Sequence, residues 1–303
     1  MRAERPRAGL RAASVGLLAF LPIAWPLAHL PAGLGLAVGR RLGDALWWLL
    51  PRRRAIALAN LRRSFGAERS ETDLRRLGRR SFQHLGMNLV EICRYLLRPT
   101  DVMLSRVRVQ GREYMQAAAA SGRGVLVLTA HYGNWELLGA AHALTGMPAS
   151  IVTRPLDHPA LDDLADRLRR RSGAELIVKR QAVREVLSAL RRQRMVGILL
   201  DQNATRAEGV FVPFFGTPAS TSKGLALLAL RTGAPVVPIF LRREPDGSHC
   251  MDVGPPVPPP PDGLVTTYTA TFNRVIEAAI RRAPEQWLWI HDRWRTRPRA
   301  AAT

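Results

Sequence analysis

An α/β fold, with a mostly parallel central sheet flanked by helices, is what this chain of 303 residues predicts. Two observations predict it. From about residue 124, short apolar runs rich in β-branched residues recur: "GVLVLT", "SIVT", "LIV", "MVGILL" and "PVVPIFL". Between them, "WELLGAAHAL", "LDDLADRLRRR", "AVREVLSALRRQ" and "SKGLALLALRT" place apolar residues at helical spacing. Strands that alternate with helices make a parallel sheet, because each crossover helix returns the chain to the edge where the strand began. At 47% hydrophobic residues, the chain has enough apolar surface for a sizeable core.

Residues 12–39 precede this region and carry no formal charge. A bilayer crossing needs roughly 20 apolar residues, so the run is long enough for an anchor. Pro22, Pro26 and Pro31 interrupt it and argue against one straight helix. Arginines flank both ends, so the positive-inside rule leaves the orientation open, as it does the choice between a span and a kinked segment in one leaflet. A cleaved signal peptide is the rival, but the run exceeds the usual length and lacks a small-x-small site. "GLGLAVG" spaces its glycines wrongly for a dinucleotide loop. Residues 44–97 read as basic amphipathic helices, suited to a membrane surface or to solvated faces. The expected division is 1–43 as an N-terminal membrane anchor with basic flanks, 44–100 as a helical membrane-facing part, and 101–298 as the α/β catalytic part. "GPPVPPPPDG" reads as a surface loop.

The charge balance narrows the partners. Lys+Arg total 45 against 24 Asp+Glu, a net +21, and all but Lys179 and Lys223 are arginine. Such a charge favours anionic phospholipid, phosphorylated substrates or acidic carrier proteins. The arginines are dispersed and no nucleic-acid module is present, so nucleic acid is not an expected partner. Cys93 and Cys250 are too few for a disulfide framework and have no zinc-type neighbours. No metal or cofactor is expected.

The stretch "LTAHYGNWELLG" carries the candidate chemistry. "GVLVLT" is a buried strand and "AHYG" the turn at its carboxyl end, where sites collect in open α/β sheets. Asn134 is the expected N-cap, which puts Glu136 in the first helical turn, favoured there by the helix dipole. His131 stays in the loop, and Gly133 lets the chain bend back so that the imidazole meets the Glu136 carboxylate. A histidine oriented by a carboxylate, with no serine or cysteine nucleophile beside it, fits a general base. It would deprotonate a substrate hydroxyl that attacks a carbonyl with no covalent enzyme intermediate. Backbone N–H groups at the helix start are placed to hold the oxyanion. A helix cap with no chemistry is the bland alternative for an isolated H-x4-E.

Other strand ends add candidates. Arg154 follows "SIVT" and is a candidate partner for a phosphate or a thioester oxygen. Asp201 follows "MVGILL" and is expected to orient an arginine such as Arg169 or Arg171, or to cap a loop. In "GVFVPFFG", Phe211, Phe214 and Phe215 with Gly209 are candidates for an acyl pocket, packed core being the commoner use of such residues. "STSK" matches a serine acyl-enzyme motif by chance alone, since its companion motifs are missing.

Taken together these stretches resemble the bacterial late acyltransferases of lipid A biosynthesis, kin of the phosphatidylinositol mannoside acyltransferases. The similarity runs from about residue 10 to 298. His131 and Glu136 match the family's H-x4-D/E motif. "TRPLDHPALDDLADRLRRRSG" resembles its second block with Arg154, Arg169 and Arg171; "LLDQNATRAEGVFVPFFGTPASTSKGLALLALRTGAPVVPIF" and "PEQWLWIHDRWRTRP" resemble two more. His158 and Asp292 depart from the residues expected there. The resemblance implies a glycerolipid-acyltransferase-like fold and an acyltransferase domain over 44–303. It implies transfer of a fatty acyl chain from acyl carrier protein or acyl-CoA to a hydroxyl of a phosphorylated glycolipid, a lipid A precursor. It also implies a place at the cell inner membrane, with the catalytic domain on the cytoplasmic side. A different glycolipid acceptor, or a non-enzymatic basic membrane-binding protein, are the alternatives.

Overall fold

The computed structural model describes residues 21–156, 158–178 and 182–298. Among them, seven strands form one sheet in the order β1-β9-β8-β2-β5-β3-β4. These are β1 (Val107–Gln110), β2 (Val125–Thr129), β3 (Ala149–Thr153), β4 (Glu175–Val178), β5 (Met195–Leu199), β8 (Val236–Arg243) and β9 (His249–Val253). From β8 to β4 every neighbouring pair is parallel, while β9 runs against β8 and carries β1 beside it. β6 (Gly209–Phe214) and β7 (Thr217–Ser222) make a separate antiparallel hairpin. Its two-residue turn is Phe215–Gly216, with φ of 49° and 72°; this left-handed pair suits the twist of a hairpin.

The helices are α1 (21–29), α2 (Ala32–Leu49), α3 (Pro51–Phe65), α4 (Glu71–Leu97), α5 (Thr100–Leu104), α6 (Arg112–Ala119), α7 (Trp135–Ala141), α8 (Pro159–Arg170), α9 (Ala182–Arg191), α10 (Gly224–Thr232) and α11 (Val265–Arg282). Successive strand residues face opposite sides, so β2 divides its apolar run between two cores. Val125 and Val127 pack with Met115, Leu137 and Leu168 from α6, α7 and α8. Leu126 and Leu128 pack with Val186, Leu225 and Phe272 from α9, α10 and α11. That is why the parallel strands read as continuous apolar runs.

The expected anchor lies partly outside the described residues. Its described part is α1 and the first half of α2, which break at Leu30 and Pro31. No helix of the described residues is long and apolar enough to cross a membrane. Two facts of sequence explain this: proline interrupts the apolar run, and α2 continues through Arg40, Arg41 and Asp44, running unbroken across residues 43 and 44. Two glycines of "GLGLAVG", Gly35 and Gly39, have a packing role. Gly35, Gly39 and Gly43 form a buried stripe on α2. A Cβ on Gly43 would collide with the Phe82 carbonyl of α4, and one on Gly86 with the Gly39 carbonyl. The two helices therefore touch backbone to backbone. Ser70 caps α4 by accepting from the Asp73 amide at 3.2 Å.

Candidate active site

β2 and β5 are parallel neighbours whose last residues, Thr129 and Leu199, pair with each other. Two residues beyond each stand His131 and Asp201, so the sheet register brings them together at the carboxyl edge. His131 Nδ1 lies 2.9 Å from Asp201 Oδ1, and the His131 amide donates to Oδ2 at 3.0 Å. The indole Nε1–H of Trp287 donates to the same Oδ2 at 2.7 Å. Asp201 is buried. Burial pushes its carboxyl upward in pKa, but His131, the Trp287 indole and the His131 amide outweigh that and hold it below the ordinary carboxylate value. A carboxylate with three donors and no solvent stays ionised at neutral pH. Its bond to Nδ1 fixes the imidazole as the Nδ1–H tautomer. The other ring nitrogen, Nε2, is then the acceptor nitrogen, with the donating Gln202 amide nitrogen 3.3 Å away.

This corrects the expected pairing of His131 with Glu136. Asn134 does cap α7, its Oδ1 accepting from the Leu137 amide at 3.0 Å, and Glu136 does sit in the first turn. Its carboxylate, however, grips Arg169 of α8 through two bonds of 3.0 and 2.7 Å. The expected role of Asp201 as an arginine's partner is corrected by the same geometry, since Asp201 orients the histidine. The physical reason is register. Asp201 stands across from His131 just past the end of the neighbouring strand, whereas Glu136 is carried by α7 toward α8.

The remaining candidates divide. Arg169 is held by Glu136, apart from the His131–Asp201 bond. Arg171 instead donates to the carbonyls of Tyr95 and Arg98, at 2.9 and 2.7 Å, and to that of Leu96, and so caps the end of α4. Arg154 is exposed just past the carboxyl end of β3. Phe214 and Phe215, expected in an acyl pocket, are core: Phe214 packs on Trp287 and Trp294, and Phe215 on Phe65 and Trp289. Phe211 is half-buried, with the Arg206 guanidinium 5.8 Å from its ring centre. Gly209 lies where a Cβ would collide with the Ser220 hydroxyl, so its need for glycine is a close strand approach.

Several residues of the site had no sequence signal of their own. Trp287 lay within an aromatic segment with nothing to single out its indole nitrogen. His291 accepts the Asn203 amide on Nε2 at 3.0 Å. Burial lowers its pKa to about 4, so it is neutral at pH 7. Asn203 is fixed in turn by Thr296, through bonds of 3.0 Å in each direction. Among the described residues no group of three or more His, Cys, Asp and Glu is arranged to hold a metal.

A family model described as bacterial lipid A biosynthesis acyltransferase matches residues 10–296. The chain belongs to that family. The protein is thus an acyltransferase. It is 32% identical to the lipid A biosynthesis lauroyltransferase of Escherichia coli (strain K12), over 97% of this chain and 94% of that one. It is 30% identical to the palmitoleoyltransferase of the same organism and pathway, over 92% and 90% of the two chains. A phosphatidylinositol mannoside acyltransferase of Mycolicibacterium smegmatis is 29% identical over 60% of each chain. This acyltransferase therefore resembles its lipid A relatives along nearly its whole length, hairpin and aromatic end included.

Proposed function

We propose that this acyltransferase moves a fatty acyl chain from a thioester donor, acyl carrier protein or acyl-CoA, to a hydroxyl of a phosphorylated lipid A precursor. The observation that carries the reading is the His131 imidazole held at Nδ1 by a buried, ionised Asp201, which leaves Nε2 as the nitrogen that acts as base. Nε2 takes the proton of the acceptor hydroxyl as its oxygen attacks the thioester carbonyl carbon. Asp201 stabilises the imidazolium. The tetrahedral oxyanion collapses, the carbon–sulfur bond breaks, and the thiolate takes the proton back from Nε2. An ester and a free thiol result, with no acyl-enzyme.

Glu136 has a different part in this scheme. Its two-point grip uses Arg169 Nε and Nη2 and leaves Nη1 outside the pair. Held in this way, Arg169 is a candidate contact for an anionic group of the acceptor, as is Arg154 just past the carboxyl end of β3. A guanidinium grips phosphate through paired bonds.

The acceptor places the reaction at a membrane, and the N-terminal layer supports that. Trp48 and Leu49 at the end of α2 are 68% and 73% exposed, and Ile23 and Trp25 of α1 are exposed as well. Arg52, Arg53 and Arg54 follow directly. Apolar side chains rimmed by arginine suit an anionic phospholipid surface on the cytoplasmic face of the inner membrane. The test is acyl transfer by purified protein, read by mass spectrometry of the acceptor, with His131→Ala as comparison. Full activity of a folded His131→Ala variant removes the mechanism. Acylation of a phosphoinositol mannoside in preference to a lipid A precursor would reassign the acceptor to the second relative's kind.

A further inference from the structure

A cluster of buried polar residues lies outside the acid–base pair. His84, Asn88 and Glu91 stand on one face of α4, four and three residues apart. All three are buried, as is Arg243 at the end of β8, which they surround. Arg243 donates from Nε to Glu91 Oε1 at 3.1 Å and from Nη2 to Glu91 Oε2 at 2.6 Å. Nη2 also donates to Asn88 Oδ1 and Nη1 to His84 Nδ1, both at 2.7 Å. His249 Nε2 lies 3.4 Å from Glu91 Oε2. Burial alone would push Glu91 up, but the charges of Arg243 and His249 hold it well below the ordinary carboxylate value.

The outward bonds of the cluster end on the loop that carries His131. Asn88 Nδ2 donates to the Gly133 carbonyl at 2.8 Å, and His84 Nε2 lies 3.1 Å from that oxygen. Glu91 Oε2 accepts from Asn134 Nδ2 at 2.6 Å, which turns Asn134 Oδ1 toward the Leu137 amide it caps. On the far side of the loop, the Gly133 amide donates to the Gln286 carbonyl at 2.9 Å. The Gln286 side chain exchanges bonds of 2.9 and 2.8 Å with the Arg243 backbone. Gly133 adopts φ +60° against the Leu241 carbonyl, where no Cβ fits. Both backbone groups of Gly133 and the amide of Asn134 are therefore set by one connected network.

A buried ion pair gains little over apolar packing of the same volume, although removing one partner alone is costly. Stability thus gives no reason for charge here, while the bonds to Gly133 and Asn134 give one. We propose that Arg243, Glu91, Asn88 and His84 are positioning residues that hold residues 131–136 in catalytic register. They fix His131 on one side of Gly133 and the start of α7 on the other. The inference rests on the acyl-transfer reading of His131. Reactive groups displaced by about 1 Å lose about 100-fold in rate, so the cluster acts on turnover rather than on affinity.

Two variants test it, each measured for kcat, KM and melting temperature in full-length protein. The double variant Glu91→Leu/Arg243→Met removes both charges together. Asn88→Asp keeps an acceptor for Arg243 but sets a carboxylate oxygen against the Gly133 carbonyl, and keeps the test open where the double variant does not fold. The expected result for folded protein is a melting temperature near the parent's, KM within about threefold, and kcat lower by about 100-fold. Parental kcat in either folded variant overturns the proposal. So does a loss of kcat in both that only follows a fall of melting temperature, which marks a merely structural cluster. His131→Ala serves as the separate control: if it retains activity the acyl-transfer reading fails, and if it alone is inactive only the positioning role is lost.

Discussion

Asp201→Asn is the sharpest perturbation the geometry allows. The carboxylate receives three donors: the imidazole Nδ1–H, the His131 amide and the Trp287 indole. An asparagine has one acceptor oxygen, and the two donors at Oδ2 lie at 3.0 and 2.7 Å and claim it. The amide nitrogen is left facing Nδ1 and donates to it. Nδ1 must then be the bare nitrogen, and the proton moves to Nε2, the atom that has to act as base. The imidazolium also loses its counter-charge. Loss of general-base catalysis costs about 10²–10⁴ in rate, or about 2.7–5.4 kcal/mol at 1.36 kcal/mol per decade. The assay is initial-rate acyl transfer with saturating donor and acceptor, beside Glu136→Gln. We expect kcat for Asp201→Asn to fall by at least about 10² and KM to stay within about threefold. Near-parental kcat for Asp201→Asn, with Glu136→Gln inactive, would return the orienting role to Glu136 and refute the reasoning.

Three further outcomes are expected. Arg169→Lys loses the two-point bond to Glu136 and should lower kcat/KM about tenfold, whereas Arg79→Lys, at an exposed pair with Asp44, should change rates by under about twofold; equal effects would make the charge generic. Gly43→Ala forces α2 off the α4 backbone and should destabilise by about 1–3 kcal/mol, seen as a lower melting temperature. Burial holds His291 at about 4, and burial with the charge of Arg243 holds His84 well below its ordinary value. The unfolded chain therefore binds more protons below about pH 6.5, so stability is present above that pH and is lost as pH falls toward 4. Thermal melts across that window should show the decline, and His291→Gln should flatten part of it.

Much of the fold was legible because its strands are buried on both faces. "GVLVLT" and "MVGILL" could be read as parallel strands with no knowledge of their neighbours. The Asn134 cap and the first-turn place of Glu136 were legible for the same local reason. The order of strands was not. β5 enters the sheet between β2 and β3, a choice made by tertiary packing, and it alone decides that Asp201 faces His131. From sequence, Glu136 was the nearer carboxylate and took the role by default. Phe214 and Phe215 were misplaced for a related reason. An aromatic pair before a glycine reads alike whether it lines a pocket or fills a core, until Trp287, Trp289 and Trp294 arrive from 70 or more residues away.

The same distances say why the site needs so many parts. His131 sits on a loop of five residues between β2 and α7, and such a segment has no helix or strand ladder of its own to fix it. Its register is supplied from outside: Asp201 from β5, Trp287 and Gln286 from the aromatic end, Asn88 and His84 from α4, and Arg243 from β8. α4 is the helix against which the glycine stripe of α2 packs, so the layer bearing the exposed Trp48 and Leu49 is one helix removed from the His131 loop. A change on α4 that leaves every catalytic side chain untouched is therefore expected to reach turnover through Gly133. Substitutions on the solvent-facing arginines of the same helix, such as Arg76, should not.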